Sequence, residues 1–289
     1  MGPPVAVPPQ AFFDKPSPHA PVTETTSIHG WTITTVKGPI IADRDTEAFS
    51  KSLGEGTPAL PEMTFDRSSV VLVHEASGVS ISFSARDALR AWRAEDLPPL
   101  QVASAQAWRS SRLNEIEQQQ AVQQAYDWTF TSPFAGTVSS TSGAPPEWSD
   151  TSEAINRGLL MERDPIVFYD EVVLYESDLD DNGVSQMTVK LRVMPKCWLV
   201  LARLWMRVDG LMVRLRESRL FCRHDTPAGA LTVLRETRHA EGTFETLRAA
   251  GAPDSGPAYA DADAASQAFQ AVAPVGVTLF KTDKLVLPS

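Results

Sequence analysis

WLVLARLWMRVDGLMVRLRESRLF, residues 198–221, is the stretch whose reading decides the fold. Two runs rich in Leu, Val, Met and Trp flank Asp209-Gly210, and a DG pair so placed is the strongest short-range hairpin signal a sequence carries. Just upstream, Met187, Val189, Leu191 and Val193 alternate with Thr188, Lys190 and Arg192, the period of a half-buried strand. "IVFYDEVVLYES" (166–177) is dense in β-branched and aromatic residues, and a turn at "DTPAGA" leads into "LTVLRE". Four or five antiparallel strands in succession make a meander. The expected fold class is therefore α+β, mainly an antiparallel β-sheet meander with helices packed around it.

Working outward, seven prolines in the first 21 residues predict a disordered, Pro-rich arm over 1–27. A single domain over 28–289 follows, opening on a strand at "IHGWTITTV" and a short helix near 44–53. Residues 70–84 read as two strands around Ser77-Gly78, with Val79, Ile81 and Phe83 alternating. Ser84 and Asp87 form a capping box for the helix "ARDALR". Further helices are expected near 104–120, 152–163 and 261–272, a strand at 126–130, and flexible loops at 139–151 and 250–260.

A chain of 289 residues with 43% hydrophobic content can build a real core, and its net charge of -10 argues against wholesale binding to nucleic acid or anionic membrane. The two cysteines, Cys197 and Cys222, form no CxxC, and no run of 18 apolar residues is present. A soluble, reduced intracellular protein is the expectation.

Catalytic and metal motifs are not found: there is no GxSxG, HExxH, Walker loop or GxGxxG, and the five histidines lack ligand spacing. Asp170 and Glu171 are adjacent on a strand and so point to opposite faces. "DLDDNGVS" (178–185) places Asp178, Asp180, Asn182 and Gly183 as an EF-hand loop would. Its twelfth position is Val189, however, and both flanks read as strands. Turn chemistry explains the same residues, and neither calcium nor any cofactor is expected.

Residues 186–223 carry nine basic side chains against only Asp209 and Glu217. Such a sheet could be a solvated outer face, or a surface that grips carboxylates bidentately through arginine. An arginine-rich sheet binding nucleic acid is the alternative, but it would need exposed aromatics, and Trp198 and Trp205 sit in apolar runs.

At this point the sequence resembles the TIPRL family of TOR signalling pathway regulators, which bind type 2A protein phosphatases. "LPEMTF" (60–65), "SFSARDALR" (82–90), "YDWTFTSPFAGT" (126–137) and "FYDEVVLYESDLDDNGVSQMTVKLRVMP" running into "RVDGLMVRLRESRLF" carry the resemblance. It implies a non-enzymatic, cytoplasmic protein, present also in the nucleus, that grips the flexible C-terminal tail of type 2A, 4 and 6-like catalytic subunits. The Tap-type phosphatase-associated subunit is a further implied partner. Carried over residue by residue, the family's binding positions fall on Asp87, Ile155, Leu215 (a Met in the family) and Glu217 (an Asp). Period-two geometry adds Arg219 on the face of Leu215 and Glu217, and turns Arg214 and Arg216 away.

Overall fold

The computed structural model describes residues 20–54, 59–94, 130–179, 183–225, 231–253, 256–272 and 279–288. Along the chain these form β1 (Val22–Ile28), β2 (Trp31–Lys37), α1 (Asp43–Leu53), β3 (Met63–Thr64), β4 (Ser69–His74), β5 (Val79–Ser84) and α2 (Ala85–Arg90). Short strands β6 (Arg93–Ala94) and β7 (Phe130–Thr131) pair with each other, ahead of β8 (Thr137–Ser140), β9 (Ser149–Asp150) and the one-turn helix α3 (Arg157–Leu160). The long strands follow: β10 (Phe168–Ser177), β11 (Gly183–Val193), β12 (Cys197–Val208), β13 (Met212–Arg223) and β14 (Thr232–Thr243). The chain then runs through α4 (Phe244–Ala249), a 3₁₀ turn (Gly256–Tyr259), α5 (Ala262–Ala271) and β15 (Leu279–Val286).

The expected meander forms, and the fold is α+β. Strands β10 to β14 lie side by side in chain order within a larger sheet ordered β3-β10-β11-β12-β13-β14-β15-β9. At its central hairpin the last pair is Val208 with Met212, so the loop is Asp209-Gly210-Leu211, one residue longer than a two-residue turn. Gly210 takes φ 72, and the Leu211 N–H bonds the Val208 carbonyl at 3.0 Å, as a three-residue hairpin requires. A second sheet, β1-β2-β4-β5-β8, packs on what we term the inner face of the meander. There Val189, Leu191, Trp198, Val200 and Leu220 are buried with Trp31, Ile33, Val70, Leu72 and Ile81, and each large side chain contributes about 1.5–3 kcal/mol. Trp31 and Trp198 meet edge to face at 5.0 Å across the two sheets.

Asp170 and Glu171 do point apart. Asp170 turns inward and accepts from Thr35 at 2.5 Å and from Lys37, while Glu171 turns outward to Lys190 at 3.5 Å. Burial works against the Asp170 carboxylate, but the bonds from Lys37, Thr35 and the Glu171 N–H overcome it and hold its carboxyl below the usual range.

Several boundaries differ from expectation. A strand already runs over Val22–Ile28, within the stretch expected to be disordered: "VTETTSI" is an exposed edge strand with no buried face to betray it. His29-Gly30, at φ 46 and φ 79, closes that hairpin as a two-residue turn. The 139–151 loop contains the end of β8 and all of β9, which pairs with β15. The helix expected over 152–163 is only α3, capped by Asn156, whose Oδ1 accepts from the Leu159 N–H at 3.0 Å. Within 250–260, the 3₁₀ turn buries Tyr259 fully. The helix expected near 104–120 and the strand at 126–129 lie outside the described residues. Among the described residues no helix is long and apolar enough to cross a membrane.

One inter-sheet contact titrates. His224 is buried and stacks on His29 at 4.7 Å, and among the described residues neither of its ring nitrogens finds a partner. Burial first, and the His29 ring second, push its pKa down to about 4. The unfolded chain binds this proton near the ordinary value of 6.5, so the stabilisation is complete above that pH and is lost as pH falls toward 4. Urea unfolding should lose about 2 kcal/mol between pH 7 and pH 5 from this group, and His224→Phe should flatten the profile. An unchanged slope in the variant would refute the assignment.

Candidate functional site

Strand register assembles the outer face of the meander, the face turned away from the second sheet. One row across it, from β10 to β15, reads Val173, Thr188, Arg203, Glu217, Arg238 and Phe280. The next row reads Glu171, Lys190, Leu201, Arg219, Glu236 and Thr282. On one side of these rows the 3₁₀ turn, α4 and α5 cover the sheet, burying Trp205, Val213, Leu215 and Ala240 with Tyr259, Leu247 and Phe269. On the other side α3 and its flank bury Ile155 and Leu159 with Met194, Cys197 and Phe221. Between the two covers runs a strip of half-buried Leu201, Lys190, Arg219 and Arg238, which we term the groove.

Four of the five predicted site residues converge here. Leu215, Glu217 and Arg219 lie on the outer face as period two requires, and Ile155 joins them through its N–H bond to Glu236 Oε1 at 2.9 Å. Glu236 stands directly across from Arg219 and also binds Arg157. Arg214 and Arg216 are on the opposite face, where both reach Glu241, at 2.6 and 3.4 Å. Asp87 is not in this cluster. It sits on α2 beside the second sheet, its N–H donates to Ser84 Oγ at 3.2 Å, and its Oδ2 accepts from Thr137 at 3.2 Å. Ser84 therefore caps the helix, while the Asp87 carboxylate turns to Thr137, so only the Ser84 half of the expected capping box is seen.

Leu215 and Glu217 are not surface residues in this structure. Leu215 is fully buried, and the Glu217 carboxylate is enclosed by Arg203 at 2.8 Å, Arg219 at 3.1 Å, Arg238 at 3.7 Å and the Ser266 hydroxyl at 3.4 Å. Three guanidinium groups thus crowd one carboxylate. A second acid, Asp263 at the start of α5, takes Arg203 at 2.7 Å and Lys190 at 3.1 Å. The bond from Arg203 comes first among the causes that hold the Asp263 carboxyl below the ordinary range.

The basic stretch is not an open anion surface. Lys196 pairs with Glu162 and Asp164, Arg207 with Asp209, and Arg223 with Asp225. Most of these acids lie outside residues 186–223, so counting along the chain overstated the charge of the face. The nucleic-acid alternative loses its footing on the same ground. Trp198 and Trp205 are buried, and the outer face's exposed aromatics, Tyr169 and Phe280, stand on strands at opposite sides of the sheet. What local excess remains sits around Glu217; Arg238 adds to it and Asp263 offsets part of it, and no short-range pattern picks out either residue.

The fold and groove define an α+β protein built on an antiparallel meander, with a strip of paired arginines and acids between two helical covers on its outer face. The comparisons place it further. Residues 63–248 match the model of the TIP41-like family. A TIP41-like protein of Arabidopsis thaliana is 40% identical over 275 residues, covering 91% of this chain and 90% of that relative. A TIP41-like protein of Homo sapiens is 36% identical over 75% of this chain and 76% of its own length. The type 2A phosphatase activator TIP41 of Saccharomyces cerevisiae is 30% identical, covering 81% of this chain and 68% of that protein. This chain belongs to the TIP41-like family.

Proposed function

We propose that this chain is a non-enzymatic regulator of type 2A-family serine/threonine phosphatases, and that it holds the catalytic subunit through the outer-face groove. Two relatives bear the name type 2A phosphatase activator, which supports the partner class. The crowding of Arg203, Arg219 and Arg238 about Glu217 carries the reading: a surplus of guanidinium donors is what a partner's carboxylate would meet. In this reading the free C-terminal carboxylate of a flexible acidic, aromatic tail pairs with Arg219. Leu201 and Phe280 contribute apolar surface. Type 4 and 6-like catalytic subunits and the Tap-type subunit are further partners, within TOR signalling in the cytoplasm and nucleus.

The test is fluorescence polarisation with a tail peptide of a type 2A catalytic subunit. Amidation of its terminus, and Arg219→Ala in this chain, should each weaken binding about tenfold, the scale of a lost charge-assisted contact. Equal affinity for the acid and amide peptides would refute tail-carboxylate recognition.

A further inference from the structure

Helix α5 is fastened to the sheet by ion pairs at its start as well as by apolar packing. Asp263 Oδ1 meets Arg203 Nη1 at 2.7 Å, its Oδ2 meets Lys190 Nζ at 3.1 Å, and the Ser266 hydroxyl donates to Glu217 at 3.4 Å. The apolar side of the helix consists of Ala262, Ala265, Ala268 and Phe269, with Val272 at its end, so Phe269 is its one aromatic anchor. Asp263 itself remains 60% exposed, whereas Arg203 and Glu217 beneath it are sealed, at 5% and 0%. A carboxylate at the rim therefore closes over a buried guanidinium.

We infer that α5 is a resident competitor for the groove, with Asp263 and Phe269 occupying the places of a partner's carboxylate and aromatic side chain. The inference rests on the reading of this face as the phosphatase-binding site. With α5 in place, Leu215 and Glu217, two positions that the family resemblance implies for binding, are covered. With α5 lifted, Arg203 keeps Glu217 but frees Nη1, and Lys190 keeps only Glu171. Two donors then face the groove where Asp263 stood. Trp205, Val213 and Leu215 are bared beside them, so a small acid cannot replace the helix. The partner must be a segment bringing an acidic and an aromatic residue together. Only the fraction of molecules with α5 lifted is competent, and the apparent affinity is reduced by that fraction.

The experiment uses the full chain carrying Leu215→Cys, whose thiol reports opening because Cys197 and Cys222 are buried. In that background Asp263→Asn, at an exposed position, and separately Phe269→Ala should each raise the labelling rate at residue 215 about tenfold. Each, made in the chain with Leu215 intact, should also tighten binding to a type 2A catalytic subunit by about threefold to tenfold over that parent. If labelling rises but affinity stays level or falls, α5 is not a competitor, and the phosphatase reading survives. If neither variant speeds labelling, α5 is not held by these contacts and the inference fails. Absence of binding by parent and variants alike would overturn the phosphatase reading, and this inference with it.

Discussion

Glu217→Ala should destabilise the chain by about 3–5 kcal/mol, the range for removing one partner of a buried ion pair. The carboxylate is fully enclosed, and Arg203, only 5% exposed, donates two bonds to its Oε1, at 2.8 and 3.0 Å. Truncation leaves that guanidinium in the sheet with Asp263 alone and removes the acid that Arg219 and Arg238 share. Cost comes from desolvated positive charge, not from lost packing, so two controls separate the causes. Arg219→Ala, at a side chain 18% exposed, should cost about 1 kcal/mol. Arg203→Met combined with Glu217→Leu should recover much of the loss, since apolar replacement of a whole buried pair is often neutral or better. Urea titrations at pH 7 decide between them. A loss below about 1 kcal/mol in Glu217→Ala would mean that water reaches the pair and screens it.

The same cluster marks how far the sequence could be read. Alternation at 187–193 and the DG turn identify the meander because every core position there obeys period two. β1 escapes because Thr23, Glu24, Thr25 and Thr26 bury no stripe, and an edge strand is legible only through its partner. The one-turn α3 is overestimated because Ile155 and Leu159 hold helical spacing, yet Ile155 precedes the cap at Asn156 and Gly158 weakens the first turn. Leu215, Glu217 and Arg219 could be placed on one face by strand geometry. Residue type makes Leu215 a core candidate and Glu217 a cross-strand partner for arginine, as found. What covers them is not legible, since it includes α5, a segment more than forty residues downstream. The arginine-rich window misled for the same reason. Its counter-ions Asp263, Glu241, Glu171 and Glu162 arrive through tertiary contacts, and charge along a chain is not charge on a face.

Gly183→Ala should cost about 3 kcal/mol or more, and it explains the stretch that imitates a calcium loop. Gly183 opens β11 at φ 155, directly across from Val208 at the end of β12. A Cβ there would lie 2.0 Å from the Arg207 carbonyl oxygen and 3.0 Å from both Arg207 C and Val208 Cα. All three are backbone atoms, so no change of rotamer relieves the overlap, and the strand pair must separate at this end. Separation would disturb the adjoining cluster of Leu179, Met206, Val208 and Met212. Gly210→Ala is the control for a positive φ without close approach, because its φ of 72 lies near the left-handed region and its Cβ would meet nothing within 4 Å. That variant should lose only about 1 kcal/mol. If the two alanine variants unfold at the same urea concentration, close approach to the Arg207 carbonyl is not what requires glycine. An EF-hand needs its sixth-position glycine for a sharp turn around an ion; here Gly183 is needed because a neighbouring strand's carbonyl occupies the place of its side chain.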